Sequence, residues 1–203
     1  MRYFFQIAYK GTAYRGWQRQ INVPTVQEVM EQVLSQLLKR PITCIGCGRT
    51  DAGVHASQYF FHIDYEASLP ENLLFLLQKN LPGDIVVYQI FLMEGWPHAQ
   101  FDAVERTYRY YLHTQVNPFW QDLSAFYPID LSVPLLQKAL DLLPQYQDYR
   151  AFCKTPDRHA STLCQVNFAH LASDVEQTYF CIELRANRFL KSMVRLLVGQ
   201  LLE

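Results

Sequence analysis

Apolar positions recur along this chain with two periods. Residues 2–9 are rich in aromatic and β-favouring side chains and predict a strand. Residues 25–40 carry Val26, Val29, Met30, Val33, Leu34, Leu37 and Leu38 in a 3,4 repeat, which predicts a helix with one buried face. Thr25 and Glu28 have capping-box spacing at its start, and Pro41 stops it. Two apolar runs, 42–47 and 58–65, predict strands on either side of a polar loop. Pro70 suits the first turn of a second helix running to about Asn80. A Leu81-Pro82-Gly83-Asp84 turn follows, then a strand over 85–93. Gly95-Trp96-Pro97 breaks the pattern, so the divide between two halves is placed there, 1–97 and 98–203.

In the second half, residues 105–114 predict a strand on which Tyr108 and Tyr110 share a face, because strand side chains alternate. Residues 133–143 predict a helix closed by Pro144, and 145–158 a polar and aromatic loop. A strand pair is expected over 163–171 and 178–186. An apolar helix over 189–202 follows, interrupted by Lys191 and Arg195. Strand–helix–strand order in both halves predicts an α/β (α+β) chain.

Composition narrows the class. A chain of 203 residues suits one large domain or two small ones sharing a core, and 50% hydrophobic with 14% aromatic residues marks a globular protein. No apolar run approaches the ~20 residues that span a bilayer. Met1-Arg2-Tyr3-Phe4-Phe5-Gln6 lacks the shape of a signal peptide, so a cytoplasmic protein is expected. Five cysteines, an odd count, argue against a disulfide framework. Cys44-x-x-Cys47 raises metal or redox chemistry, but no second close pair completes a ligand set, and reduced core thiols are the simpler expectation.

A net charge of −1 is not the basic balance of a typical nucleic-acid binder. Clustering can substitute for it. Arg15, Arg19, Arg49, Arg106, Arg109, Arg185, Arg188, Lys191 and Arg195 would bind phosphate if they converged on one face.

The loop Gly48-Arg49-Thr50-Asp51-Ala52-Gly53-Val54-His55 holds one carboxylate at a strand edge, bracketed by glycines with wide backbone freedom. Asp-Ala-Gly is also ordinary turn chemistry. Trp17, among arginines in a glycine-containing loop, either stacks on bases or folds onto the core. Arg195 either needs a counter-ion or snorkels to water. Tyr108, from the residues alone, reads more simply as a strand aromatic in the core.

Residues 48–56, Gly-Arg-Thr-Asp-Ala-Gly-Val-His-Ala, resemble the signature loop of the TruA-type tRNA pseudouridine synthases. Further blocks resemble the family in the same order. They are Tyr9-Lys10-Gly11-Thr12 with Gly16-Trp17-Gln18-Arg19-Gln20; Thr25-Val26-Gln27-Glu28; and Asn80-Leu81-Pro82-Gly83-Asp84-Ile85. Phe101-Asp102-Ala103 with Arg106-Thr107-Tyr108-Arg109-Tyr110 comes next, then Phe189-Leu190 with Met193-Val194-Arg195 and Gly199.

The resemblance implies the pseudouridine synthase fold: two similar halves sharing a mostly antiparallel sheet flanked by helices, with the active cleft at their junction. It implies uridine-to-pseudouridine isomerisation without cofactor or metal, at tRNA positions 38–40 in the anticodon stem-loop. Asp51 is then the nucleophile, at C6 of the base or C1′ of the sugar. Arg195 pairs with it, and Tyr108 stacks on the extruded base and takes part in proton transfer. Arg49 helps hold that base out of the stack, and Arg15, Trp17, Arg19 and Arg106 join the substrate-binding set. A homodimer contacting one tRNA through both subunits is also implied.

Three departures stand out. Lys10 replaces the usual Asp of Tyr-Asp-Gly, Gln100 replaces an arginine, and the chain stops at Glu203, where family members run several tens of residues further. A shortened or divergent form, or an inactive RNA-binding homologue, is the competing expectation. A hydrolase using Asp51 with Asp64 or Asp102 is weaker still, since no spacing ties those acids together.

Overall fold

Alternation in residues 2–9 is realised as strand β1 (Arg2–Tyr9), with Tyr3, Phe5, Ile7 and Tyr9 buried and the residues between them only partly so. The computed structural model describes residues 1–203. They divide into two compact units, Met1–Ala103 and Val104–Glu203. The divide thus falls after Ala103, whereas the sequence pattern puts it after Pro97. Residues 98–103 stay with the first unit because the Ala99 amide donates to His62 Nδ1 (3.1 Å) and the His98 ring lies 5.0 Å from that of His62.

In the first unit, α1 (Val26–Leu38) follows β1, then β2 (Ile45–Gly46), β3 (Ala56–Asp64), α2 (Leu73–Asn80) and β4 (Ile85–Met93). The sheet order is β2-β3-β1-β4, all antiparallel. Phe5 lies opposite both Phe61 and Ile90, and its ring stacks on Phe61 at 4.8 Å. Val26, Met30, Leu34 and Leu38 of α1 and Leu73 and Leu77 of α2 close the same core. Each large apolar side chain buried there contributes roughly 1.5–3 kcal/mol. Thr25 caps α1, its hydroxyl accepting the Glu28 amide at 3.4 Å, and Lys39 ends it in the left-handed region. The helix therefore stops two residues short of Pro41.

The strand expected over 42–47 shrinks to Ile45–Gly46. Upstream, two of its amides are engaged elsewhere: Ile42 N–H donates to Ser35 Oγ, and Cys44 N–H to the buried Glu31 carboxylate. The second helix begins at Leu73, not Pro70, because the Leu73 amide closes a turn onto the Pro70 carbonyl.

The second unit runs β5 (Arg106–His113), β6 (Ala125–Phe126), α3 (Val133–Leu140), β7 (Val166–Ser173), β8 (Tyr179–Ala186) and α4 (Met193–Leu202). Its sheet order is β6-β5-β8-β7, antiparallel except for β5 with β6. The core joins Leu112, Phe180, Ile182 and Leu184 of the sheet to Leu136 and Leu140 of α3 and Met193, Leu197 and Val198 of α4. Each unit thus pairs a four-stranded sheet with two α-helices, a mixed α/β architecture consistent with the pseudouridine synthase fold.

Three boundaries in this unit differ from the pattern. Helix α3 ends at Leu140, and Leu143–Gln145 tightens into a 3-10 turn around Pro144. Strand β7 starts at Val166, because the Cys164 and Gln165 amides donate to Gln147 O and Asn187 Oδ1. Helix α4 starts at Met193, since Ser192 takes a positive φ of 62°. No helix is long and apolar enough to cross a membrane.

Candidate functional site

The polar loop at 48–55 connects β2 to β3, and the segment after β1 holds it at both ends. On the upstream side, Thr50 Oγ1 accepts the Trp17 amide at 3.0 Å and lies 2.9 Å from the Tyr9 hydroxyl. Gly16, at φ +90°, packs so close to this residue that an added Cβ would sit 2.1 Å from the Thr50 carbonyl oxygen. On the downstream side, the Gly53 amide donates to Tyr14 O (3.1 Å) and the Gly11 amide to His55 Nδ1 (3.0 Å). A Cβ on Gly11 would lie 2.0 Å from Val54 O. The Tyr59 hydroxyl donates to Gly48 O from below.

Asp51 stands between these two clamps. Its carbonyl accepts the Val54 amide (3.2 Å), closing a single turn, and the residue is exposed. The turn chemistry of Asp-Ala-Gly is therefore present, and it leaves the carboxylate on the surface. Of the bracketing glycines, only Gly53 takes a positive φ (77°); Gly48 has no positive φ and no crowding neighbour. The backbone demands fall instead on Gly11 and Gly16, which the sequence gives no structural role beyond their place in a motif.

The candidate binding residues of this unit separate. Arg49 and Arg15 are exposed, and Arg15 borders a cleft of about 410 Å³ shared with Tyr14, Pro24, Ala52 and Gly53. Trp17 is a core residue, 3% exposed, its ring 4.5 Å from Tyr59 and 5.5 Å from Phe61. Both rings occupy space a base would need, so the stacking role is corrected to a structural one. Arg19 is drawn onto α1 by Glu31 (3.3 Å) and Glu28 (3.9 Å). Glu31 in turn accepts from Gln27 and the Cys44 amide. Lys10, exposed, donates its amide to Asp84 O (2.8 Å). Burial and a hydrogen bond to Asp84 push the Tyr14 phenol well above its ordinary pKa.

In the second unit, Tyr108 sits on β5 opposite Leu184, half-buried, with the Phe189 ring edge-on at 5.0 Å. Arg106 Nη1 donates to the Asn187 carbonyl at 2.7 Å, which ties it to the segment before α4. Arg195 lies in the first turns of α4 and is exposed, while Met193, Leu197 and Val198 face the core. Burial alone therefore does not demand a counter-ion for it. Arg109 and Arg185 both bond Glu183, at 2.6 Å each, and Arg109 first, then Arg185, holds that carboxyl below its usual range. These two cations are thus partly neutralised by their own sheet.

Cys44 is buried, which pushes its thiol well up; Cys47, Cys153, Cys164 and Cys181 are also free. No group of three or more His, Cys, Asp or Glu side chains gathers in a way that could hold a metal ion.

A family model described as tRNA pseudouridine synthase matches residues 146–203. The tRNA pseudouridine synthase A of Porphyromonas gingivalis is 37% identical over 203 residues, spanning 98% of this chain and 81% of that protein. That of Parabacteroides distasonis is 40% identical, with 100% and 80% covered. That of Shewanella pealeana is 36% identical, with 100% and 78% covered.

Proposed function

Because the chain belongs to the tRNA pseudouridine synthase A family, we propose that it isomerises uridine to pseudouridine in the anticodon stem-loop of tRNA. The reaction breaks the bond from ribose C1′ to N1 and forms one from C1′ to C5. N1 gains a proton and C5 loses one, so there is no net redox change. The observation that carries the proposal is the Asp51 loop: a carboxylate left exposed on a backbone held at Thr50, Gly53 and His55. A carboxylate is a competent nucleophile for covalent catalysis when it is ionised and aimed.

In this reading Asp51 is the nucleophile and Arg195 the cation that favours its charged form. Tyr108, half-buried on β5 beside Phe189, stacks on the extruded uracil, and its hydroxyl serves proton transfer. Arg49 offsets part of the cost of extrusion, a few kcal/mol. Arg15 and Arg106 contact the tRNA backbone. The chain acts in the cytoplasm as a homodimer.

The test uses tRNA carrying tritium at uridine C5. The intact chain releases tritium; Asp51→Ala releases none and still binds tRNA. Release by the variant at the parental rate overturns the role of Asp51, and binding without release by the parent itself points to an inactive RNA-binding homologue.

A further inference from the structure

Residues 9–17 contact the loop on both sides of Asp51, and the tightest coupling is at the residue directly before it. Thr50 Oγ1 receives the Trp17 amide at 3.0 Å and lies 2.9 Å from the Tyr9 hydroxyl. These partners come from different places. Tyr9 is the last residue of β1 and 4% exposed; Trp17 is wedged into the core. A hydroxyl held from two rigid points has little freedom, and its Cα begins the peptide that carries the carboxylate. Gly16 fixes the other end of the same residue, because it lies against the Thr50 carbonyl where no side chain would fit.

We propose that Thr50 is a positioning residue for the isomerisation: its hydroxyl, anchored to Tyr9 and the Trp17 amide, sets where the Asp51 carboxylate stands. This rests on the assignment of Asp51 as nucleophile. Attack on a carbon needs the oxygen within a few tenths of an ångström of its productive place, and a misplacement of about 1 Å costs on the order of 100-fold in rate. The Thr50 hydroxyl is engaged by Tyr9 and the Trp17 amide and acts through the backbone it holds. Its loss therefore slows the chemical step and leaves tRNA affinity nearly intact, since of the arginines assigned to tRNA binding only Arg49 shares this loop, while Arg15 and Arg106 stand on other segments.

The test compares Thr50→Val, which keeps the β-branched shape and removes the hydroxyl, with Thr50→Ser, which keeps the hydroxyl and removes the methyl. Single-turnover pseudouridine formation and tRNA Kd are measured for both, with a thermal melt to establish folding. Thr50→Val is expected to slow the single-turnover rate about 10- to 100-fold with Kd within about twofold, and Thr50→Ser to return within about threefold of the parent. Tyr9→Phe, which removes one of the two anchors, falls between them.

A Thr50→Val enzyme at the parental rate overturns the proposal. So does equal impairment of the valine and serine variants, or a loss confined to Kd. If Thr50→Val fails to fold, the Thr50→Ser and Tyr9→Phe pair decides: the proposal falls unless serine is near parental and phenylalanine slowed. Asp51→Ala, run alongside, separates the two levels. An active Asp51→Ala sinks the nucleophile assignment and this proposal with it, whereas an inactive Asp51→Ala beside a fully active Thr50→Val sinks only the role of Thr50.

Discussion

Gly16 and Gly53 both take positive φ, at 90° and 77°, yet their surroundings differ. Gly53 has nothing within 4 Å of where a Cβ would be; Gly16 has the Thr50 carbonyl at 2.1 Å. Alanine at Gly53 meets only the left-handed backbone penalty, about 1 kcal/mol. Alanine at Gly16 adds a backbone collision and is expected to cost about 3 kcal/mol or more, with loss of activity. Urea denaturation of the two variants checks the order; equal costs would mean that the loop yields to Gly16. Arg49 and Asp51 were legible in the sequence because they sit in one contiguous motif, residues 48–56. The clamps were not, because Tyr9 and Trp17 reach Thr50 across 41 and 33 residues of chain. The fate of Trp17 was undecidable for the same reason: the rings that cover it, Tyr59 and Phe61, lie on another strand.

At the scale of elements, β3 is joined to the 98–102 turn through one ring. His62 is fully buried, accepts the Ala99 amide on Nδ1, and has no hydrogen-bond partner for Nε2. Burial, then the nearby Arg2 and His98 charges, lowers its pKa to about 4. The unfolded chain binds this proton near pH 6.5. Between those values the unfolded state holds more protons, so stability rises with pH from about 4 to about 6.5 and is flat in this term outside the window. Over that range His62 accounts for on the order of 3 kcal/mol. Denaturant melts across pH 4–7 should show this slope, and His62→Phe should flatten it whatever its absolute stability. An unchanged slope would assign the effect to other groups. Long elements were legible: β1, β4 and α1 fall where β-favouring composition, the 3,4 apolar repeat and the Thr25 cap put them. Short or partly diverted ones were not, because Ser35, Glu31 and Asn187 accept amides that strand periodicity assigns to ladders. Strand β6, two residues long, carries no period at all.

For the whole molecule the question is how a chain of net charge −1 binds a polyanion. Several cations are already matched: Arg2 by Asp64, Arg40 by Glu66, Arg150 by Asp157, and Arg109 and Arg185 by Glu183. Arg15, Arg49 and Arg195 are exposed and lie in or near the motif blocks. A few local phosphate contacts release counterions irrespective of net charge, so tRNA Kd should rise on the order of tenfold or more between 50 and 200 mM salt. A filter-binding titration at several salt concentrations measures it, and a flat response would remove the phosphate-tracking surface from the reading. Composition alone pointed away from nucleic acid; the ordered motifs pointed toward it, because binding depends on where charges stand.

Since the Asp51 loop is shaped by Gly11, Gly16 and the Thr50 anchors, it is not a self-contained cassette. An engineer who transplants the octapeptide onto another hairpin would carry over the proposed nucleophile without the contacts that hold its backbone. The smallest portable unit is the loop together with residues 9–17 and the aromatic bed beneath them, and libraries that diversify one segment should diversify the other in step.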